Sequence, residues 1–238
     1  MSQTAQIHNL GLVRTAAERL ASRTAGLPGM AVLYGPAGWG KTTAAMAIAN
    51  EHRAYFVQMR SAWSRKTLLE KIVIEMGAKP AGTIPQLLDQ VVEQLAASER
   101  MLMIAAFDYC AKNDGMVELI RDIYEGSQAT LLLLGEELLP QKLKKWERFH
   151  SRVLSWIPAQ PITLADAEML LPIYCPNIHV GTDLLEHLVK LSGGSVRRVS
   201  VNLSDICEKA SLEGWDRVTR AEWGDRAIYT GEAPRRAV

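Results

Sequence analysis

One segment of the sequence, Gly35 to Thr43, restricts the possible folds of this chain more than any other. Its residues, GPAGWGKTT, match the pattern G-x-x-x-x-G-K-[ST] in full. A short apolar run, Met30 to Tyr34, precedes the segment, and an alanine-rich helical pattern follows it. Glycines in such a turn let backbone N–H groups point toward phosphates, and the amino end of the helix adds positive potential. The segment therefore predicts a phosphate-binding loop between a buried strand and a helix.

This loop predicts ATP as the bound nucleotide, accompanied by Mg²⁺. Lys41 is expected to reach the β- and γ-phosphates, and the Thr42 hydroxyl is expected to coordinate Mg²⁺. The residues expected to surround the nucleotide are Gly35, Pro36, Ala37, Gly38, Trp39, Gly40, Lys41, Thr42 and Thr43.

Short apolar runs bounded by turn-forming residues alternate with amphipathic helical patterns along the first two thirds of the chain. The runs predict buried parallel strands at residues 30–34, 54–59, 101–107 and 129–134, and a weaker run predicts a fifth strand at 161–164. The helical patterns cover residues 9–25, 42–53, 65–76, 84–98, 116–125 and 138–149. This alternation predicts an α/β fold in which helices flank a parallel sheet.

The pattern changes after about residue 165, where strand-like runs end and helical patterns continue at residues 166–174, 183–192, 197–213 and 220–228. We therefore predict an N-terminal helix and linker at 1–28, a nucleotide-binding α/β region at 29–165, and a small α-helical subdomain, or lid, at 166–238. A chain of 238 residues is long enough for this arrangement.

Composition excludes several classes of protein. Lys and Arg number 27 and Asp and Glu 26, so any affinity for nucleic acid must come from local patches rather than from net charge. The three cysteines show no C-x-x-C spacing, which argues against a disulfide framework or a zinc site. The amino end lacks a secretory pattern, and the longest apolar stretch, residues 101–107, is far shorter than the roughly 20 residues of a membrane span. We therefore expect a cytoplasmic protein without a membrane partner.

The strand at residues 101–107 lacks the acidic residues that the phosphate-binding loop leads one to expect. A P-loop ATPase uses an acidic residue at the end of this strand to hold Mg²⁺ and commonly a following Glu to activate the attacking water. Ala105 and Ala106 occupy these two positions, and Asp108 fits a further acidic position three places after the first. Alternatively, the strand extends to Phe107 and Asp108 is the metal-linked acid, with Tyr109 in place of the Glu.

Either interpretation removes the carboxylate that activates water. We therefore expect an ATPase that binds ATP through Lys41 and Thr42 but turns it over slowly or not at all. Two origins for Ala105 and Ala106 are open: deliberate replacement of an Asp-Glu pair that blocks hydrolysis, or natural degeneration.

Three further positions are candidates for sensing the nucleotide. Glu136 follows the fourth strand and is placed to address the γ-phosphate through water, although a helix-capping role suits it equally. Arg152, in a Ser-Arg pair before the fifth strand, is a candidate for stabilising phosphate charge in a neighbouring subunit; Arg148 lies nearby, and both arginines suit the carboxyl end of a helix. Arg197, in the segment Gly194-Ser-Val-Arg-Arg, is a candidate for contacting the γ-phosphate from the lid.

Taken together, the loop, the apolar second strand, the Ser-Arg pair and the Gly-x-x-Arg-Arg segment resemble those of AAA+ ATPases over nearly the whole chain. The compact size, the Asp108-Tyr109 pair and the segment His150-Ser151-Arg152 are most similar to the transposition ATPases, which include the B protein of Mu-like transposable phages and its relatives TniB, TnsC and IstB.

This resemblance implies an ATP-dependent protein that binds double-stranded DNA without sequence preference and forms helical filaments or rings of itself. It also implies that the protein helps to choose target DNA and delivers it to a DDE transposase that it activates, in a bacterial host cytoplasm if the chain is phage-encoded. The B protein of Mu has an N-terminal helix-turn-helix domain, whereas only about 30 residues precede the loop here. DNA contact would therefore come from the ATPase core.

Local charge suggests where that contact lies. Arg60, Arg65 and Lys66 follow the second strand together with Trp63, and Lys112 follows the third strand. Cations in such loops contact the DNA backbone without reading its sequence, although an ordinary solvated surface would have the same composition. Gln141 to Lys145 is also basic but suits a subunit interface equally well.

The alternative function is in replication, as a helicase loader or initiator similar to DnaC or ORC, with a helicase rather than a transposase as partner. A signalling ATPase scaffold is disfavoured, because such scaffolds carry long extensions.

Overall fold

The structure, a computed structural model, describes residues 4–232. These residues form two compact units. The larger unit comprises residues 10–36 and 41–159, and the smaller unit comprises residues 37–40 and the described parts of 1–9 and 160–238. The division of the sequence at residues 28 and 165 stays a prediction, and residues 1–3 and 233–238 of its outer segments lie outside the described residues.

The larger unit is built on a parallel sheet. Its strands are β1 (Met30–Tyr34), β2 (Tyr55–Gln58), β3 (Leu102–Ala105), β4 (Leu131–Gly135) and β5 (Val153–Pro158), in the order β2-β3-β4-β1-β5. All four neighbouring pairs are parallel. The predicted α/β fold is therefore confirmed, with β1 in an interior position and its carboxyl end at the start of the phosphate-binding loop.

Seven helices of the described chain belong to this unit: α1 (His8–Ala21), α2 (Lys41–Glu51), α3 (Arg65–Glu75), α4 (Ile84–Ser98), α5 (Asp114–Ser127), α6 (Leu139–Leu143) and α7 (Glu147–His150). The first two residues of α1 lie in the smaller unit. A 3₁₀ helix, Phe107–Lys112, follows β3. Side chains alternate between the two faces of a strand, so Met30 and Val32 join the apolar core that α3, α4 and α5 cover.

Local capping explains where several of these helices begin. The side chains of Ser64, Thr83 and Asn113 accept hydrogen bonds from backbone N–H groups in the first turns of α3, α4 and α5. Such caps satisfy donors that have no partner inside the helix. The predicted bounds of α4, Ile84 to Ser98, are confirmed.

Two predictions for the larger unit are wrong. The fifth strand lies at Val153–Pro158 rather than at 161–164, because β5 pairs with β1 as a half-buried edge strand and lacks the uniformly apolar pattern of the other strands. The predicted helix 138–149 is two short helices, α6 and α7, because the chain turns at Lys144 to Trp146 and the Trp146 side chain packs against the core.

The smaller unit is largely helical, with α8 (Leu164–Tyr174), α9 (Thr182–Leu191), α10 (Val196–Glu213) and α11 (Arg220–Trp223). Thr163 and Asp166 form a capping box at the start of α8. The predicted absence of strands here is wrong, since β6 (His179–Val180) and β7 (Arg217–Val218) form a small parallel pair. The last predicted helix is shorter than expected, because it ends at Gly224, whose φ is +60°.

The cysteines are free thiols: Cys110 and Cys175 are buried, and Cys207 is half-buried. Among the described residues, no helix has both the length and the apolar character that crossing a membrane requires.

A stacked aromatic pair anchors α7 to the core and generates a stability prediction. The rings of Phe107 and Phe149 are 5.9 Å apart between centroids, and both side chains are fully buried. We expect Phe149→Ala to lower the free energy of unfolding by about 3–5 kcal/mol, because it removes buried apolar area and leaves a cavity. Urea denaturation measures this loss, and the matched variant of the exposed neighbour, Arg148→Ala, should change stability by less than about 0.5 kcal/mol. Equal effects of the two substitutions would contradict the role given to the pair.

Candidate functional site

The part of the phosphate-binding loop in the larger unit is organised by Lys41. The loop leaves β1 at Tyr34, and α2 begins at Lys41 itself. The Lys41 ammonium donates hydrogen bonds to the carbonyl oxygens of Gly35 and Pro36 at 2.7 and 2.8 Å. Burial lowers the pKa of Lys41, and the carboxylates of Asp108 and Glu136 act in the opposite direction. The Lys41 cation and the first N–H groups of α2, which have no partner within the helix, therefore lie beside the position where phosphates are expected.

The loop residues in the smaller unit, 37–40, are held by their own hydrogen bonds. The carbonyl oxygen of Gly38 accepts from the backbone N–H of Arg197 at 3.0 Å and from the Ser195 hydroxyl at 3.4 Å. Gly38 has a φ of +83°, and a Cβ atom there would lie 2.6 Å from the Ser195 oxygen. Only glycine fits both the conformation and the space.

Asn9, which the sequence analysis missed, fixes the same part of the loop. Its side-chain amide donates to the carbonyl oxygens of Trp39 and Gln160, both at 2.8 Å, and its side-chain oxygen accepts from the Gln160 N–H at 2.8 Å. The residue is buried. The one sequence feature that could have indicated Asn9 is its polar side chain at the start of the apolar helical pattern of residues 9–25.

Arg197 lies in the first turn of α10, which Ser195 caps. Its side chain is exposed and makes no hydrogen bond or ion pair within the described part of the smaller unit. The backbone of Arg197 thus contacts the loop at Gly38, and its role toward phosphate stays a prediction.

The structure distinguishes the two interpretations of the strand predicted at residues 101–107, which lacks the expected acidic residues. β3 ends at Ala105, and Ala106 takes a left-handed conformation, φ +54° and ψ +40°, that starts the 3₁₀ helix. The alternative in which the strand extends to Phe107 is therefore wrong. Ala105 is fully buried at the carboxyl end of β3, paired with Gln58, so a methyl group stands at the position expected for the metal-binding carboxylate.

Asp108 is already fully engaged by other residues. One carboxylate oxygen accepts from the backbone N–H of Glu136 at 2.6 Å, and the other accepts from the Lys142 ammonium at 2.7 Å. Asp108 is only 7% exposed. Lys142 was not predicted, because it follows Asp108 by 34 residues and no local pattern marks the pairing.

Glu136 directly follows β4 and is exposed. Its carboxylate is close enough to Lys41 to affect the pKa of that amine, and within residues 4–232 it forms no ion pair. The structure thus brings Lys41, Asp108 and Glu136 together at the carboxyl edge of the sheet.

The Thr42 hydroxyl, the predicted protein ligand of Mg²⁺, lies in the first turn of α2. No group of three or more His, Cys, Asp or Glu residues that fits a metal ion occurs in the described range. A nucleotide-bound Mg²⁺ therefore fits through Thr42 and the phosphate oxygens, without a protein carboxylate at Ala105.

Arg152 lies at the opposite edge of the sheet from the loop. It directly precedes β5, and its carbonyl oxygen accepts from the N–H of Met30, the first residue of β1. The Arg152 guanidinium donates to one Glu125 oxygen at 3.0 and 3.2 Å. The length of β1, about 3.3 Å per residue over five residues, separates Arg152 from Lys41 of the same chain.

The candidate DNA-binding cations lie at the carboxyl edge. β2 and β3 are parallel neighbours, so the loops after them emerge side by side. Arg60 lies over the ring of Trp63 at 6.0 Å, and the Lys112 ammonium is 5.2 Å from the ring of Tyr109. The remaining two cations differ in surroundings: Lys66 approaches Glu70 at 3.8 Å, and Arg65 lies beside Gly115.

Comparison with known proteins gives one family and a set of structural neighbours. Residues 24–143 match the family model described as AAA domain. No curated protein matches the chain. Similar solved structures include the Aeropyrum pernix ORC2 protein in ADPNP and ADP complexes, with a TM-score of 0.68 and 19% identity over 90% of this chain.

Two further neighbours are the A. pernix ORC1 protein in complex with DNA, with a TM-score of 0.64 and 20% identity over 93% of this chain, and Cdc6p from Pyrobaculum aerophilum, with a TM-score of 0.64 and 15% identity over 92%. This chain spans 65%, 64% and 66% of the ORC2, ORC1 and Cdc6p chains, respectively. At these identities the likeness concerns the fold.

The geometry of the loop generates a prediction for Lys41. We expect Lys41→Met to weaken ATP binding at least about tenfold, equivalent to about 1.4 kcal/mol, because the variant removes the cation that faces the phosphates. Titration with a fluorescent ATP analogue measures the affinity. Lys145→Met, which alters an exposed lysine paired with Asp114, is the control and should bind like the unaltered protein. Unchanged affinity in a folded Lys41→Met protein would show that the loop does not hold the phosphates.

Proposed function

The chain belongs to the AAA domain family, and from this premise we propose that it binds ATP at residues 35–43 and that bound ATP controls its assembly on double-stranded DNA. One observation carries the proposal. The phosphate-binding loop after β1 and the cationic loops after β2 and β3 leave the same carboxyl edge of one parallel sheet. A change at the nucleotide can therefore reach the cations over a short distance.

Nucleotide binding uses groups that the unit already positions. Lys41 exchanges the carbonyl oxygens of Gly35 and Pro36 for phosphate oxygens, which are stronger acceptors because they are charged. Thr42 provides the hydroxyl for the Mg²⁺ that accompanies ATP and neutralises part of its charge.

Hydrolysis requires a group that orients and deprotonates water. Ala106 has no such group, and the Asp108 carboxylate is occupied by Lys142 and the Glu136 N–H. We therefore propose that the chain holds ATP for long periods and turns it over slowly. Deliberate replacement and natural degeneration of the acidic pair both lead to this state.

The position of Arg152 supports a proposal of self-assembly. Because this arginine lies at the opposite edge of the sheet from Lys41 of its own chain, it serves a phosphate group only in another copy. ATP between Lys41 of one subunit and Arg152 of the next would join neighbours into a filament or ring. Arg197 would contact the γ-phosphate from the smaller unit of the subunit that carries the loop.

In this assembly, Arg60, Arg65, Lys66 and Lys112 would follow the DNA backbone. Single subunits make few phosphate contacts, and an array of subunits adds many of them, so binding is strong only in the assembled state. The contacts carry no base recognition, which implies sequence-independent binding.

Replication is the setting that the comparisons favour, because similar solved structures include ORC and Cdc6 proteins and one of these was solved with DNA. The partner would then be a helicase. The Asp108-Tyr109 pair and the His150-Ser151-Arg152 segment favour the second setting, transposition with a DDE transposase. Pull-down of the full chain with each purified partner separates the two settings.

The first prediction concerns ATP-dependent binding to DNA. On random-sequence duplex DNA we expect regular assemblies with ATP and little binding with ADP or without nucleotide, measured by gel shift and negative-stain microscopy. Arg152→Ala should abolish the assemblies while leaving the ATP affinity of the monomer unchanged, because this residue does not contact its own loop. Monomers without DNA affinity in every nucleotide state would contradict the proposal.

The second prediction concerns the cations. Replacing Arg60, Arg65, Lys66 or Lys112 by Gln should each make the slope of log affinity against log salt less negative by about one, because one phosphate contact is lost. Lys79→Gln is the matched control, since Lys79 is exposed beyond the far end of α3, away from the carboxyl edge. If the control changes the slope as much as the four variants do, the contact surface is elsewhere.

The third prediction concerns turnover. Ala105→Asp together with Ala106→Glu should raise phosphate release by about 100-fold or more, because the pair restores a general base. Adding Lys41→Met should remove the gain and so show that it arises at this loop. Fast turnover by the unaltered chain would contradict the proposed slow hydrolysis.

A further inference from the structure

Asp108 is the only buried carboxylate in the described part of the larger unit. Burying an ionised carboxylate is costly unless hydrogen bonds and a counter-charge compensate it. Both compensations are present here, in the Glu136 N–H and the Lys142 ammonium. Such a group holds its two partners in fixed positions, because losing either partner leaves a buried charge unsatisfied.

The two partners come from the loop and helix that follow β4, whereas Asp108 follows β3. Glu136 is the first residue after β4, and Lys142 lies in α6. Gly135 lets the carboxylate approach closely, since a Cβ atom there would lie 2.6 Å from the Asp108 oxygen. Asp108 therefore ties the ends of two neighbouring strands together.

One end of this connection faces the nucleotide loop. The carboxylates of Asp108 and Glu136 both raise the pKa of Lys41 against the effect of burial, so both lie within electrostatic range of the amine. Phosphates that arrive beside Lys41 attract the amine and repel the exposed Glu136 carboxylate. The Glu136 backbone, which donates to Asp108, moves with that residue.

The other end of the connection is exposed. Asp108 lies in the 3₁₀ helix 107–112. The residue after it, Tyr109, is 39% exposed, and the Lys112 ammonium lies beside the Tyr109 ring. This short helix has little internal stability, because it contains few hydrogen bonds of its own. The buried side chains of Phe107, Cys110 and Ala111 attach this helix to the core, and the hydrogen bonds of Asp108 are a second attachment, next to the exposed Tyr109.

We propose that Asp108 is a positioning residue that transmits the state of the phosphate-binding loop to Tyr109 and Lys112, the exposed side chains of the 3₁₀ helix. The proposal rests on the proposed function in that it takes ATP as the ligand and this helix as part of the DNA-contacting edge. It adds a specific route: phosphate at Lys41, displacement of Glu136, and rearrangement of the bonds to Asp108.

The test uses the full chain with Asp108→Asn combined with Lys142→Gln. The double variant removes both charges, so no buried charge is left unpaired and the fold is retained. Hydrogen exchange of residues 106–113 is measured with and without ATP, and duplex DNA affinity is measured with ATP and with ADP. Asp114→Asn, which breaks the exposed ion pair with Lys145, is the control for loss of a nearby carboxylate. Lys142→Arg in a chain that keeps Asp108 is the conservative variant, because it retains the positive charge beside the Asp108 carboxylate.

In the unaltered chain and in Asp114→Asn, ATP should slow exchange at residues 106–113 and strengthen DNA binding by about 5- to 150-fold, the usual range of coupling between sites. In the double variant, measured at a saturating ATP concentration, ATP should no longer alter exchange at residues 106–113, and the DNA affinities with ATP and with ADP should become equal. Lys142→Arg should restore most of the ATP effect on exchange.

Two results would overturn the proposal: a double variant in which ATP still slows exchange at residues 106–113, or an unaltered chain in which ATP never does. If ATP alters exchange only when Asp108 and Lys142 are intact, yet no state binds DNA, the positioning role stands and the DNA part of the proposed function fails. The exchange measurement thus tests Asp108 independently of DNA.

Discussion

The pairing of β1 with β4 on one side and β5 on the other is the interaction on which the remaining structure depends. β1 is short and almost wholly buried, and all five of its residues are in register with β4. Because neighbouring strands are parallel, every loop at their carboxyl ends emerges at one edge, as in other open α/β sheets that bind ligands there. Lys41, Glu136, Asp108 and Arg60 are brought to this edge by four different strands that lie far apart in sequence.

At this carboxyl edge, the acidic residue that is present, Asp108, and the acidic pair that is absent, at Ala105 and Ala106, have opposite physical consequences. Asp108 is buried and stabilised by two partners, so its charge serves the internal structure. Ala105 and Ala106 have no charge to compensate, and the buried methyl group of Ala105 fits the apolar end of β3 without cost. Under the proposed function, a site with the lysine and the threonine but without these carboxylates would keep its means of binding phosphate and lack the means of activating water that the Asp-Glu pair provides.

Sequence patterns predicted the elements that are governed by local chemistry. α4 has a capping threonine and a regular apolar stripe, and β1 is an uninterrupted apolar run before glycine, so both were predicted within a residue. β5 was misplaced because an edge strand is half-buried and needs no uniform apolar run. The contacts of Asp108 with Lys142 and of Asn9 with Trp39 join residues about 30 positions apart, and only the folded backbone brings them together. For the candidate site, the phosphate-binding loop followed from a local motif, whereas its supporting contacts did not.

The ion pair between Arg152 and Glu125 bears on how assembly would proceed. Both side chains are partly exposed, at 44% and 40%, and such pairs contribute only about 0–1 kcal/mol to stability. In the proposed assembly, moving Arg152 from Glu125 to a phosphate of a neighbouring subunit would therefore cost little, and it would gain a contact with a more highly charged group. The ion pair with Glu125 therefore does not prevent Arg152 from contacting a neighbouring subunit. Under the proposed function, assembly would then depend on whether ATP, with its additional phosphate, is bound to that neighbour.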